Sequence, residues 1–257
     1  IANEINVIGL MNTQLAIKNN KIFVLEVNPR ASRTVPFVAK SRGIPIAKIA
    51  AKIMVGDLLT EVLKKYEIRE LEHFCVKESV FPFNKLDGVD LILGPEMKST
   101  GEVMGIDKNF LSSFAKSQIA AGNLLPKKGN VFVSIDDTNK DKFISIARKL
   151  QNLNFNLIAT NGTADYLNKN NISATKINKV KDGNPHIVDS LIGGKIDLVI
   201  NTTKSQSSIK DSYSIRRTSL MYNIPYYTTI AGAEVAIDAI EHMQNNDFKI
   251  KSLQSLN

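Results

Sequence analysis

From residue 130 onward the chain alternates short apolar runs with amphipathic stretches five times, and this alternation constrains the fold more than any other feature. Strands are expected at 130–135, 155–159, 172–177, 196–200 and 225–228, with helices at about 139–152, 162–169, 186–193, 208–222 and 231–243. The first of these helices carries Phe143, Ile146, Ala147 and Leu150, an i, i+3, i+4, i+7 stripe that covers one face of a sheet. Strands separated by helices pair in parallel, because each crossover returns the chain to the same end of the sheet. The expected fold class is therefore α/β, with a doubly wound five-stranded parallel domain in the C-terminal half.

In such a sheet ligands settle beyond the carboxyl ends of the strands, where helix N-termini present free backbone N–H groups. The strand ends here share a polar character. Lys140 follows the first strand, Thr160-Asn161-Gly162-Thr163 the second, Lys179 the third and Asn201-Thr202-Thr203 the fourth. Two lysines among hydroxyl and amide turns describe a cradle for phosphate, although threonine and asparagine also cap helices and a single lysine is usually solvated. Arg216 and Arg217 are adjacent on a helix and point in different directions, so at most one can serve that cradle.

The N-terminal half reads differently. Residues 9–18 and 22–27 are expected as two strands of a hairpin around Lys18-Asn19-Asn20-Lys21, followed by helices at Val35–Ser41 and Ile46–Val55, the first closed by Gly43, the second opened by Pro45 and closed by Gly56. Glu26 and Asn28, two residues apart near a strand end, share a face. A carboxylate beside an amide oxygen suits Mg²⁺, which takes few protein ligands and completes its shell with phosphate and water. Arg30 and Arg33 can add planar contacts to phosphate; a solvated strand end whose Glu and Arg residues pair with each other fits the spacing equally. Gln14 joins that face only if Lys18 pairs with Ile22 across a three-residue loop. A two-residue Asn19-Asn20 turn pairs Gln14 with Leu25 and reverses the faces.

Further along, 74–81 is expected as a strand, Gly94-Pro95-Glu96 and Thr100-Gly101-Glu102 as turns, and Asp107 as the N-cap of a helix running to Ala120. The breaker-rich run Ala121–Gly129 marks the expected boundary between domains 1–121 and 122–257.

Composition narrows the functional classes. The net charge of +8 comes from 33 Lys and Arg against 25 Asp and Glu, with the lysines spread along the chain and aromatics at 7%, so small anions are expected as partners rather than nucleic acid. No run approaches the roughly 20 apolar residues of a membrane span. Cys75 is the single cysteine, which excludes an intramolecular disulfide and a multi-cysteine metal site and fits a cytoplasmic setting. With Ile1 first and no methionine before Met11, the chain is expected to be a piece of a longer one.

The run Glu26-Val-Asn-Pro-Arg-Ala-Ser-Arg-Thr-Val-Pro-Phe37, with the stretches at 76–85 and 93–105, closely resembles the large subunit of carbamoyl-phosphate synthetases, and the resemblance extends over nearly the whole chain. It implies the C-terminal part of an ATP-grasp domain followed by a methylglyoxal-synthase-like regulatory domain. By that resemblance Gln14, Glu26 and Asn28 hold Mg²⁺ or Mn²⁺ bridging ATP phosphates, Arg30 and Arg33 contact phosphate in catalysis, and K⁺ belongs to the full enzyme. Lys140, Thr160, Thr163, Lys179, Asn201 and Thr203 line an effector pocket for a nucleotide such as UMP or IMP, while Glu78, Tyr226 and Thr228 match positions linked to ornithine.

The same resemblance implies ATP, bicarbonate or carbamate, and ammonia as substrates, a small glutamine amidotransferase subunit as partner, and a hetero-oligomeric full-length chain. The nucleotide-binding lysines and lid of the ATP-grasp fold are then expected upstream of Ile1, so this chain alone is expected to be inactive. Two alternatives stand beside this one. A free-standing lyase of the methylglyoxal-synthase type needs an acidic residue where Asn201-Thr202-Thr203-Lys204 stands, and a pure nucleotide-binding module leaves the metal-binding pattern at 14–33 unexplained.

Overall fold

A computed structural model describes residues 1–67, 70–83, 92, 98–203, 209–210 and 212–255. The chain forms two compact units, Ile1–Glu72 with Lys249–Asn257, and His73–Phe248.

In the first unit β1 (Asn12–Lys18) and β2 (Lys21–Asn28) form an antiparallel hairpin. The turn is the two-residue Asn19-Asn20, with φ of 50° and 56°. Two consecutive left-handed residues match the twist of the flanking strands, and asparagine tolerates that conformation. Pairing runs Lys18↔Lys21 to Leu15↔Val24 and then shifts, so that Gln14 faces Glu26. Leu25 is the extra residue, and the bulge it makes corrects the register the tight turn imposes. Neither register expected from the sequence holds throughout: the turn is the short one, and the pairing at Gln14 is that of the long one.

Helices α1 (Thr34–Arg42), α2 (Ile46–Met54) and α3 (Leu59–Leu63) follow, the last unforeseen in the sequence. Gly43 takes φ 67° and closes α1 with its N–H on Ala39 O, the left-handed cap that a Cβ would disfavour.

The second unit is built on a five-stranded parallel sheet in the order β7-β6-β5-β8-β9. Its strands are β5 (Gly129–Ser134), β6 (Phe155–Thr160), β7 (Ala174–Ile177), β8 (Leu198–Asn201) and β9 (Tyr226–Tyr227). Val131 and Val133 of β5 enter one core with residues of α5 (Lys140–Asn152), α6 (Asn161–Lys169) and α9 (Ile230–Asn245). Phe132 enters the opposite core with α7 (Ile187–Ile192) and α8 (Tyr213–Met221). Helices thus cover both faces, as the alternating pattern requires.

Ahead of this sheet, β3 (Phe74–Val80) and β4 (Gly101–Asp107) pair antiparallel, and α4 (Phe110–Ala120) packs on both and on α9. Two sequence expectations change here. Thr100-Gly101-Glu102 runs into a strand rather than forming a turn, and the cap of α4 is Asn109, whose side chain accepts from Leu111 N and Ser112 N, while Asp107 ends β4. The turn expected at Gly94-Pro95-Glu96 lies outside the described residues. The breaker-rich run 121–129 falls inside this unit, between α4 and β5, while the two compact units divide between Glu72 and His73.

Gly105 explains why a strand here contains glycine. A Cβ at this position would stand 1.8 Å from Ser113 O and 2.6 Å from Ser117 N, so α4 lies with its backbone directly against β4. Neither neighbour is a flexible side-chain tip that could yield. Gly105→Ala should therefore force the helix off the strand and destabilise the second unit by about 1–3 kcal/mol, the usual range for overpacking. Thermal unfolding of the variant against the parent chain checks this; an unchanged midpoint would mean that the helix shifts freely.

Candidate functional site

The strand order places a switch point between β5 and β8, where successive connections leave in opposite directions and a crevice opens beyond the strand ends. A cavity of about 130 Å³ lies there, lined among others by Ser134, Asp136, Thr160, Lys179, Asn201 and Thr203. Four of the six expected effector residues thus meet. The other two are engaged differently. Thr163 is buried beneath the cavity, its Oγ1 accepting from Ile135 N at 3.1 Å and lying 3.4 Å from Thr160 Oγ1. Lys140 is not among the lining residues: its Nζ donates to Gly162 O at 3.1 Å, pairs with Asp137 at 2.6 Å and stands 5.6 Å from the centre of the Tyr166 ring.

Asp136 was missed by sequence reasoning. Its N–H donates to Thr202 Oγ1 at 3.0 Å, and Thr202 Oγ1 donates back to Asp136 Oδ2 at 2.8 Å, a mutual clasp across the switch point. Oδ1 accepts from Thr138 N and Oγ1, and Oδ2 also accepts from Asn139 Nδ2. Burial disfavours the charged carboxylate, but these hydrogen bonds outweigh it and hold the group below its ordinary value. The available signal was Asp136-Asp-Thr-Asn139 directly after a strand, a turn in which an aspartate accepts the N–H two residues on. Arg216 braces another wall: fully buried, it donates to Ser212 Oγ at 2.6 Å and to Ile209 O at 2.9 Å.

A second cavity of about 240 Å³ in the same unit is lined by Glu78, Phe81, Asn123, Ser219, Tyr226 and Thr228, among others. Glu78, Tyr226 and Thr228, each singled out in the sequence by resemblance, all line it. Burial pushes the Glu78 carboxyl up, and a hydrogen bond from Gln118 Nε2 at 2.9 Å only partly offsets this. Gln118 was also missed, since a glutamine at a buried helix position carries no sequence pattern of its own. Asn201 Nδ2 donates to Tyr226 Oη at 2.6 Å, so one hydrogen bond joins a wall of the first cavity to a wall of the second.

In the first unit the bulge sets Gln14 opposite Glu26, and Asn28 Nδ2 donates to Glu26 Oε1 at 2.9 Å. The amide nitrogen of Asn28 thus turns toward the carboxylate, leaving Oδ1 as its acceptor. Asn12 pairs with Asn28 and belongs to the same face, a neighbour the sequence pattern did not single out; it donates to Ser32 Oγ at 3.2 Å. Three oxygen-bearing side chains with a single carboxylate fit a hard cation that draws the rest of its shell from phosphate and water. Among the described residues no group of three or more His, Cys, Asp or Glu gathers to form a closed metal site. Arg30 is exposed, with Nη1 donating to Ala31 O at 3.0 Å, and Arg33 stands at the N-cap of α1.

Two family models match the sequence. Residues 1–62 match the ATP-binding domain of the carbamoyl-phosphate synthase L chain, and residues 142–228 match the MGS-like domain. The chain is 52% identical over 254 residues to the carbamoyl phosphate synthase large chain of Myxococcus xanthus, covering 99% of this chain and 23% of that protein. It is 52% identical over 259 residues to that of Rhizobium meliloti, with 99% and 22% covered, and 49% identical over 255 residues to that of Archaeoglobus fulgidus, with 99% and 24% covered. The chain therefore spans about a quarter of the length of these relatives.

The Asp136–Thr202 clasp predicts a stability profile. Because the folded carboxyl sits below its ordinary 3.8, its contribution is present above that value and is lost as pH falls through the folded value. Asp136→Asn should cost about 1.5–3 kcal/mol near neutral pH, the range for hydrogen bonds to a charged group. The difference from the parent chain should then shrink as pH falls below 3.8. Urea unfolding at a series of pH values reads this, and a difference independent of pH would remove the charge from the account.

Proposed function

The chain belongs to the carbamoyl phosphate synthase large-chain family, and from that premise we propose that it supplies the end of the ATP-dependent carbamate-phosphorylating domain and a nucleotide-sensing domain of such an enzyme. The observation that carries this reading is the pairing, in one chain, of the oxygen-donor face at Gln14, Glu26 and Asn28 with the polar cavity at the switch point. In the complete ligase ATP activates bicarbonate, ammonia delivered by a small glutamine amidotransferase subunit yields carbamate, and a second ATP phosphorylates it.

For that last step, Gln14, Glu26 and Asn28 would hold Mg²⁺ or Mn²⁺, which when bound neutralises phosphate charge as it develops. Arg30 and Arg33 add planar guanidinium contacts that orient the transferring phosphoryl group. K⁺ belongs to the same full-length reading. Among the described residues no helix is long and apolar enough to cross a membrane, and a cytoplasmic setting is supported by the lone Cys75.

In the second unit, Thr160, Lys179, Asn201 and Thr203 take the phosphate of a nucleoside monophosphate such as UMP or IMP, with Thr163 fixing the floor and Lys140 beside it. The 240 Å³ cavity, with the Glu78 carboxylate in its wall, takes the ammonium group of ornithine. The lyase alternative is disfavoured by Asp136, the carboxylate in the switch-point cavity: its oxygens already accept four hydrogen bonds, and a group held in its charged form by those bonds makes a poor proton acceptor.

Two measurements test the reading. Calorimetric titration of the chain with UMP and IMP should show saturable binding that Lys179→Ala weakens roughly tenfold or more, since a charge-assisted hydrogen bond is worth about 1.5–3 kcal/mol. Unaltered binding would move the pocket elsewhere, and conversion of a triose phosphate would favour the lyase. In a full-length large chain carrying this sequence, Glu26→Ala or Asn28→Ala should cripple carbamate phosphorylation, while the chain alone should not turn over ATP in the presence of bicarbonate. An unchanged turnover number in both variants would contradict the metal role.

A further inference from the structure

In the larger cavity of the second unit, Glu78 is the end of a chain of hydrogen bonds rather than an isolated carboxylate. Tyr227 Oη donates to Gln118 Oε1 at 3.3 Å, and Gln118 Nε2 donates to Glu78 Oε2 at 2.9 Å. The three residues come from β9, α4 and β3, and Gln118 is 5% exposed. Resting on the reading of this cavity as a site for a cationic amino group, we propose that Gln118 and Tyr227 are positioning residues that hold Glu78 ionised and aimed for that cation.

The argument turns on the two ends of the Gln118 amide, which have nearly the same shape and opposite polarity. With Nε2 toward Glu78 the contact supports a charged carboxylate; with Oε1 toward it the contact is repulsive unless Glu78 carries a proton. Tyr227 biases the choice, because a phenol is a stronger hydrogen-bond donor than acceptor. Its O–H, donating to Oε1, favours the amide nitrogen toward Glu78, and a phenylalanine in its place would leave the amide without that bias. The chain also has a reverse sense: a protonated Glu78 donates to Oε1, and Nε2 then donates to the tyrosine oxygen. Charge on Glu78 and direction of the chain are therefore one variable.

Other charged groups nearby have partners of their own. Lys77 of β3 pairs with Glu102 of β4 at 3.0 Å, and Lys116 of α4 with Asp107 at 2.7 Å. From β9, Tyr226 accepts from Asn201. Burial raises the Glu78 carboxyl and the Gln118 hydrogen bond lowers it, so weakening the chain moves its titration upward in pH.

The experiment has two readouts on the whole chain. Carbon-13 NMR of the Glu78 side-chain carboxyl in the ligand-free protein gives its titration midpoint, and calorimetry with L-ornithine gives affinity against pH. Tyr227→Phe should raise the midpoint and weaken ornithine binding about threefold or more at mildly acidic pH, as loss of one neutral hydrogen bond implies, and Gln118→Leu should do both more strongly. Both losses should fade as the pH rises far enough to ionise Glu78 in every variant, a rescue that a general packing defect would not show. A midpoint unmoved in both variants overturns the proposal whatever ornithine does. Shifted midpoints without saturable ornithine binding, or with Glu78→Gln binding as well as the parent, overturn the cavity reading and the proposal with it.

Discussion

β5 has no free edge and no free face. It pairs in parallel with β6 on one side and β8 on the other, and Val131, Phe132 and Val133 are each fully buried between the two helical layers. The enclosed stretch Val131–Val133 carries no polar side chain, because an unpaired buried polar group there would cost a few kcal/mol. The polar chemistry of the unit is consequently displaced to the strand end, where Ser134 and Asp136 meet Thr160 of β6 and the Asn201-Thr202-Thr203 turn after β8. Because β5 is the first strand of the sheet in sequence and its centre in space, the switch point falls beside it.

That arrangement also links the two cavities. β9 hydrogen-bonds to β8, and the side chains at their ends, Tyr226 and Asn201, bond to each other. Neither cavity has a wall independent of the other at this point. The connection is short and involves one side-chain donor and one hydroxyl, so it is a property of strand adjacency rather than of a long path through the core.

The parallel sheet was legible because its signal is periodic: Phe143, Ile146, Ala147 and Leu150 are all buried, as their spacing requires. The four threonine, lysine and asparagine positions at the switch-point cavity were legible because topology alone brings strand ends together. The failures share a cause: each depends on contacts distant in sequence. Gly101 suggested a turn, yet it opens β4, and Gly105 farther along that strand is the surface on which α4 rests. Asp107 and Asn109 are both capping residues by type, and the extent of β4 decides between them. Asp136 and Gln118 acquire their roles from Thr202 and from Glu78 and Tyr227, far along the chain.

The hairpin of the first unit contains two devices that each add or remove one residue from the count between its strands, the tight Asn19-Asn20 turn and the bulge at Leu25. Either alone would put Gln14 and Glu26 on opposite faces; together they cancel. The eleven residues between Gln14 and Glu26 can close as a three-residue turn with straight strands or as this two-residue turn with a bulge, and both arrangements keep Gln14 and Glu26 on one face. The donor face that carries Gln14, Glu26 and Asn28 is in this sense indifferent to which of the two turns the tip adopts.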